Sequence, residues 1–223
     1  MVTPSPPYPL LDVRDLMVTY DDARYFRYPD LIVHDGQCVA VTGPTGCGKT
    51  TLLNALFELG FSARVSHTEA LLMGRALRSY GNSLFREISY MPQYAQDGLN
   101  PLITVGAQVE AVVRDNGLEL SPAALDAQLS CLRLEGSVMT RFPHQLSGGM
   151  KQRIVLLMSV IRHPRLLVLD EPSSAIDALT LGIMLDFLKE AKAEDMGLLM
   201  VSHDAGFIRH IADVNIKLSE CAP

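Results

Sequence analysis

Gly43-x-x-x-x-Gly48-Lys49-Thr50 sets two glycines, a lysine and a hydroxyl in the order that can hold the phosphates of a nucleotide. The glycines let backbone N–H groups turn inward around the anion. Lys49 reaches the β and γ oxygens, and the Thr50 hydroxyl is a ligand for Mg²⁺. Downstream, Ser147-Gly148-Gly149 precedes the basic stretch Met150-Lys151-Gln152-Arg153. A serine there caps a helix that begins at the glycines and leaves free N–H groups at a positive helix end, where a phosphate can bind without any loop. One loop holds one nucleotide, so the second device must do something else.

Carboxylates complete the set. The apolar run Leu166–Asp170 delivers Asp170 to the carboxyl end of a strand buried on both faces, where sheets of this kind bind ligands. Asp170 is thereby a candidate for the Mg²⁺ water shell. Glu171 points elsewhere and is a candidate general base that polarises an attacking water. His203 follows another apolar run; read alone, it is either a structural histidine or a γ-phosphate contact.

These groups need elements to hold them. Residues 10–20 alternate and carry Val and Tyr, which predicts one strand; 37–43 reads as a buried strand running into the glycine loop, and 49–59 has helical spacing. Residues 86–93 read as a further strand, ended by Pro92. From Tyr94 to Pro164 the pattern turns to helices, over 104–118, 121–134 (Ser121 as cap, Pro122 in the first turn) and 146–163. Strands over 165–172 and 197–203 then flank a helix over 178–194. The predicted organisation is a loose leader over 1–9, an α/β core over 10–93 and 165–223, and a helical insertion over 94–164.

Length and composition fit an ordinary soluble globular protein: 223 residues, 48% hydrophobic and 20% charged. A formal net charge of -6 argues against a general nucleic-acid binder, which needs clustered Lys and Arg. Cys38, Cys47, Cys131 and Cys221 form no CxxC pair, so reduced thiols are expected rather than a zinc site or a disulfide framework. The opening residues lack the basic and apolar regions of a secretory signal, and the longest apolar run, 154–161 between Arg153 and Arg162, is too short to span a bilayer. Work at a membrane would go through a partner.

Taken in order, "GPTGCGKT", Gln93, "LSGGMKQR", "LLVLDEP", "SAID" and His203 resemble the ATP-binding cassette (ABC) ATPases, and the likeness runs from about Leu11 to Asp213. It implies an α/β fold with a P-loop, RecA-like core, an antiparallel β edge and a helical subdomain, binding ATP and Mg²⁺. It implies that Gly43, Pro44, Thr45, Gly46, Cys47, Gly48, Lys49, Thr50 and Thr51 cradle the nucleotide, and that Thr50, Gln93 and Asp170 serve the metal. Glu171, His203 and Gln93 become the catalytic set. It also answers why there are two phosphate devices. Ser147, Gly148 and Gly149 address the γ-phosphate held by another subunit, with Asp177 at the seam, so that two nucleotides are sandwiched between two cassettes. Tyr20 lies where the family places an aromatic for adenine, with Tyr25 and Phe26 as rivals. Thr45 and Ile176 replace the family's usual serine and leucine, and neither change removes a phosphate ligand.

The phrases "GLNPLITVGAQ" and "FPHQLSGGMKQR" are similar to the oligopeptide, dipeptide and nickel importer branch. That branch implies a second ATPase subunit, with a heterodimer favoured over a homodimer, two membrane permeases and, indirectly, an extracytoplasmic substrate-binding protein. The chain itself would be peripheral on the cytoplasmic face of the membrane. Because the sequence stops at "ADVNIKLSECAP", no regulatory C-terminal domain is expected, and the shortness tilts the cargo toward nickel or a metal chelate, with oligopeptide the other choice. The alternative is a soluble ABC ATPase of a cytosolic complex, such as a phosphonate-degradation accessory subunit.

Overall fold

The computed structural model describes residues 8–20, 25–57, 63–174 and 176–218. In chain order the strands and helices of the first half are β1 (Leu11–Arg14), β2 (Met17–Thr19), β3 (Tyr25–Arg27), β4 (Leu31–Val33), β5 (Cys38–Thr42), α1 (Lys49–Phe57), β6 (Arg64–Ser66), β7 (Glu69–Leu72), β8 (Arg75–Ala76), α2 (Leu84–Glu87) and β9 (Ile88–Met91). The second half adds α3 (Val105–Asp115), α4 (Pro122–Cys131), α5 (Gly148–Val160), β10 (Leu166–Asp170), α6 (Ala178–Ala193), β11 (Gly197–Val201), α7 (Ala205–Ile211) and β12 (Val214–Lys217).

A five-stranded parallel sheet, in the order β12-β5-β11-β10-β9, is the centre of the molecule. Every residue of β10 and β11 is buried, the mark of a sheet covered on both faces. Alternation divides their side chains. Leu167, Leu169, Leu198 and Met200 face a core built with α3, α5, α6 and α7, whereas Leu166, Val168, Leu199 and Val201 face α1 and the antiparallel strands. Those strands form two further sheets, β4-β1-β7-β8 and β3-β2-β6. The α/β fold with an antiparallel edge is therefore present, and every described element between α3 and α5 is helical.

Two predicted strands need correction. Residues 10–20 form two strands in different sheets, broken where Asp15 takes a left-handed backbone with φ of 50°. The break is held by an Asp30 carboxylate accepting from the Asp15 N–H at 3.2 Å and by Thr68 donating to the Asp15 side chain at 2.7 Å. Residues 86–93 lose their start to α2, so the strand covers only β9. Here Arg162 substitutes for ladder partners, donating to the carbonyls of Phe85 and Ile88 at 2.5 and 2.8 Å and to the Ser89 hydroxyl at 2.6 Å. Elsewhere the start signals hold: Ser121 accepts from the Ala124 N–H with Pro122 in the first turn of α4.

The entry to β5 is fixed by a small polar network. Asp213 accepts from the Cys38 N–H at 2.7 Å and pairs with Lys192 at 2.6 Å. Burial pushes the Cys38 thiol up to about 12, so it acts as a small apolar core residue. Cys38, Cys47 and Cys131 are free thiols, and Cys221 lies outside the described residues, as does most of the 1–9 leader.

Candidate nucleotide site

The parallel register aligns the strand ends that carry the chemistry. Asp170 pairs with Val201 and Val201 with Val41, so the glycine loop after β5, Glu171 after β10 and His203 after β11 leave the sheet on one edge. Two tight contacts shape the loop. Gly48 has a φ of 91°, and a Cβ there would come within 2.5 Å of the Phe26 ring, while Tyr28 donates its hydroxyl to the Gly48 carbonyl at 2.9 Å. At Gly43 a Cβ would meet the buried Cys47 sulfur at 2.6 Å. By contrast Gly46 has a φ of 86° and open space beside it, a cradle at the start of α1, where first-turn N–H groups have no intrahelical acceptor.

Thr45, Gly46 and Gly48 of the loop, Lys49, Thr50 and Thr51 of α1, and Gln93, Glu171 and His203 line one cavity of about 280 Å³. Lys49 is 8% exposed and donates to the carbonyls of Gly43 and Pro44 at 2.9 and 3.2 Å, with Glu171 Oε1 at 3.7 Å. Glu171 Oε2 lies 2.8 Å from His203 Nδ1 and accepts the His203 backbone N–H at 3.2 Å. Glu171 also has a left-handed backbone, with φ of 48°, a conformation that costs a non-glycine residue ~1–2 kcal/mol. That turn, fixed by its N–H to the Val201 carbonyl at 2.9 Å, swings the carboxylate across the end of β11 toward His203.

Asp170, 2% exposed, stands behind this cavity. Its Oδ1 accepts from the Thr50 hydroxyl at 3.5 Å and its Oδ2 from the Tyr90 hydroxyl at 3.1 Å. Burial raises the carboxyl above the usual range; the bonds from Tyr90 and Thr50 and the charge of Lys49 oppose the rise, and Glu171 adds to it. Hard oxygen donors from one carboxylate and one hydroxyl suit a Mg²⁺ shared with phosphates. Among the described residues no three His, Cys, Asp or Glu side chains converge to hold a metal by themselves.

Ser147, Gly148, Gly149 and Asp177 are not part of that cavity's lining; they form a second cluster. Ser147 caps α5, accepting from the Met150 N–H at 3.2 Å, as its sequence position predicts. Asp177 caps α6 through Thr180, whose N–H and hydroxyl both donate at 2.9 Å. Gly149 presses on this cap, since a Cβ would collide with the Thr180 hydroxyl and lie 3.3 Å from Asp177 Oδ2. Arg153, which sequence reasoning left without a role, links the cluster to the turn after α4 by donating to the carbonyls of Gly149, Leu132 and Arg133 at 3.1, 2.8 and 3.1 Å. Gly149→Ala should therefore lower unfolding stability by about 1–3 kcal/mol in a denaturant titration, through overpacking. Gly148→Ala, with nothing within 4 Å, should be close to neutral.

None of the three candidate aromatics lines the cavity. Tyr20 is 3.4 Å from the Thr51 hydroxyl and meets Phe26 edge-on, Phe26 stacks on Tyr28 and covers Gly48, and Tyr25 is 54% exposed.

The family model for the ABC transporter matches residues 27–174. The chain belongs to the ABC transporter family. The cassette is 32% identical over 222 residues to the dipeptide transport ATP-binding protein DppD of Bacillus subtilis (strain 168), covering 92% of this chain and 66% of that protein. It is 29% identical to the oligopeptide transport ATP-binding protein OppD of the same organism, covering 92% and 62%. The cassette thus spans just under two thirds of the length of these two relatives. Among solved structures, the ATP-binding subunit of an ABC transporter superposes with a TM-score of 0.78 at 25% identity, covering 94% of this chain and 85% of that one. The ATP-binding cassette MJ0796, in a post-hydrolysis state bound to ADP and Pi, superposes with a TM-score of 0.73 at 23% identity, covering 93% and 94%.

Proposed function

We propose that this chain is an ATP-hydrolysing subunit that powers an ABC importer of peptides. The observation that carries the chemistry is the meeting of Lys49, Thr50, Gln93, Glu171 and His203 in one cavity beside a glycine cradle. Lys49 and the loop N–H groups bind the phosphates of ATP, along a stretch from Gly43 through Thr51 in which Pro44 alone has no N–H to give. Mg²⁺ would be held by Thr50, Asp170 and Gln93, where its charge offsets that of the phosphates. Glu171 takes the proton of the attacking water, and His203, hydrogen-bonded to it, orients its carboxylate toward the γ-phosphate. Tyr20 is the proposed adenine neighbour, through its place beside Thr51.

A second cassette completes the site. The capped start of α5, Ser147 to Gly149, is a phosphate device with no nucleotide loop of its own beside it, which supports its use on a nucleotide held by a partner, with Asp177 at the seam. Closure would then be driven by γ-phosphates shared between subunits and released by hydrolysis. We take the partner to be a different cassette rather than a second copy, and the helical stretch 94–164, set between core segments 10–93 and 165–223, to follow nucleotide state through Gln93.

The cargo reading rests on relatives whose names are dipeptide and oligopeptide transport, so peptides come before nickel or a metal chelate. Among the described residues no helix is long and apolar enough to cross a membrane, and attachment would be to two permeases at the cytoplasmic face, with a binding protein beyond them. The test is to isolate the tagged protein from detergent-solubilised native membranes and identify its companions. Recovery of two polytopic permeases and a second cassette is expected. Recovery of soluble enzymes alone would overturn the importer and favour a cytosolic ATPase complex, leaving the ATP chemistry in place.

A further inference from the structure

Tyr90 has no place in the chemistry above, yet its hydroxyl touches the most buried carboxylate of the site. The register explains how. β9 and β10 run parallel with Tyr90 opposite Val168, and the two-residue alternation of a strand puts Asp170 on the same face as Val168. The Tyr90 ring therefore runs along β10 toward its carboxyl end, where its hydroxyl donates to Asp170 Oδ2 at 3.1 Å. The other oxygen, Oδ1, is the one that meets Thr50. The carboxylate's two oxygens are thus assigned different tasks, one turned to the strand and one to α1.

We propose that Tyr90 is a positioning residue that fixes the rotation of the Asp170 carboxylate so that Oδ1 stays beside Thr50 for a Mg²⁺–nucleotide complex. Asp170 is 2% exposed, so water cannot replace the tyrosine hydroxyl without a local opening. A phenol hydroxyl carries its proton at neutral pH and can give it to a carboxylate oxygen, which only accepts. Thr50 at 3.5 Å is the longer and weaker of the two bonds, so it is Tyr90 that holds the carboxylate. Without it, one buried oxygen is left unpaired and the group is free to rotate.

This inference rests on the reading of Thr50 and Asp170 as the metal's holders, and the experiment separates the two. A fluorescent ATP analogue is titrated into the wild type and Tyr90→Phe, first in EDTA and then across Mg²⁺ concentrations, with thermal unfolding followed in parallel. The expected result is a Mg²⁺ midpoint raised about tenfold in Tyr90→Phe, the scale of one hydrogen bond to a charged group, with metal-free nucleotide affinity within about twofold of wild type. A merely structural Tyr90 would instead weaken nucleotide binding equally with and without metal, alongside a lower Tm, and that outcome overturns the proposal. So does an unchanged Mg²⁺ midpoint. A wild type indifferent to Mg²⁺ overturns the metal reading itself, and this inference with it.

Discussion

Glu171→Gln is expected to lower steady-state phosphate release by ~10²–10⁴-fold while ATP still binds, the usual weight of a lost general base. The amide keeps an oxygen able to accept the His203 N–H, now found at 3.2 Å, so the loop after β10 has no reason to move. What it loses is basicity. It also loses the charge that pairs with Lys49 at 3.7 Å. Lys49 retains the carbonyls of Gly43 and Pro44 and is more available to phosphate, so ATP affinity should rise or stay level. With both site halves present, the ATP-bound assembly should persist instead of reopening. Phosphate release within twofold of wild type would move the base to another residue.

Gly48→Ala should be the most damaging single change in the glycine loop. The left-handed backbone costs an alanine ~1–2 kcal/mol. The steric conflict adds to this, because a Cβ would lie 2.5 Å from the Phe26 ring and 2.8 Å from the Tyr28 hydroxyl. Either the loop flattens or β3 and the residues after it retreat, and the Tyr28 bond to the Gly48 carbonyl goes with them. Nucleotide affinity should fall at least about tenfold, and thermal unfolding should come several degrees earlier. Gly46→Ala is the control, since it carries a φ of 86° with open space around it and bears the backbone cost alone. Equal losses in the two variants would show that the aromatic packing against Gly48 is unimportant.

Much of the site was legible because each part is a local pattern. The glycine spacing before Lys49, the unbroken apolar run into Asp170 and the serine before two glycines each need only a few adjacent residues to be read. The break in residues 10–20 was legible as well, in retrospect. Buried Leu11 and Val13 give way to buried Leu16 and Val18, so the alternation changes parity across Asp15. A strand cannot change parity without a kink. Other features had no local signal. The Tyr90 contact depends on which residue of β9 stands opposite Val168, and register is set by distant strands. Likewise α2 displaces the start of a strand because the Arg162 guanidinium, far along the chain, supplies partners for the Phe85 and Ile88 carbonyls. Asp177 shows the reverse case: the family resemblance implied a place at a seam, and within one chain the residue is a helix cap whose neighbour is Gly149.

The order of the parallel sheet has a consequence for how the protein is made. β11, which follows both of its neighbours in the sequence, lies between β5 and β10, and those two strands pair only through it. As the ribosome delivers the chain, the glycine loop at the end of β5 and the carboxylates at the end of β10 emerge before the strand that lies between them. Insertion of Gly197–Val201 closes the sheet and, a few residues later, brings in His203. Such late, long-range closure is slow to nucleate. ATP capture would thus wait on the insertion of β11, and until that strand is in place the unfinished sheet would expose two apolar strand edges for chaperones to cover.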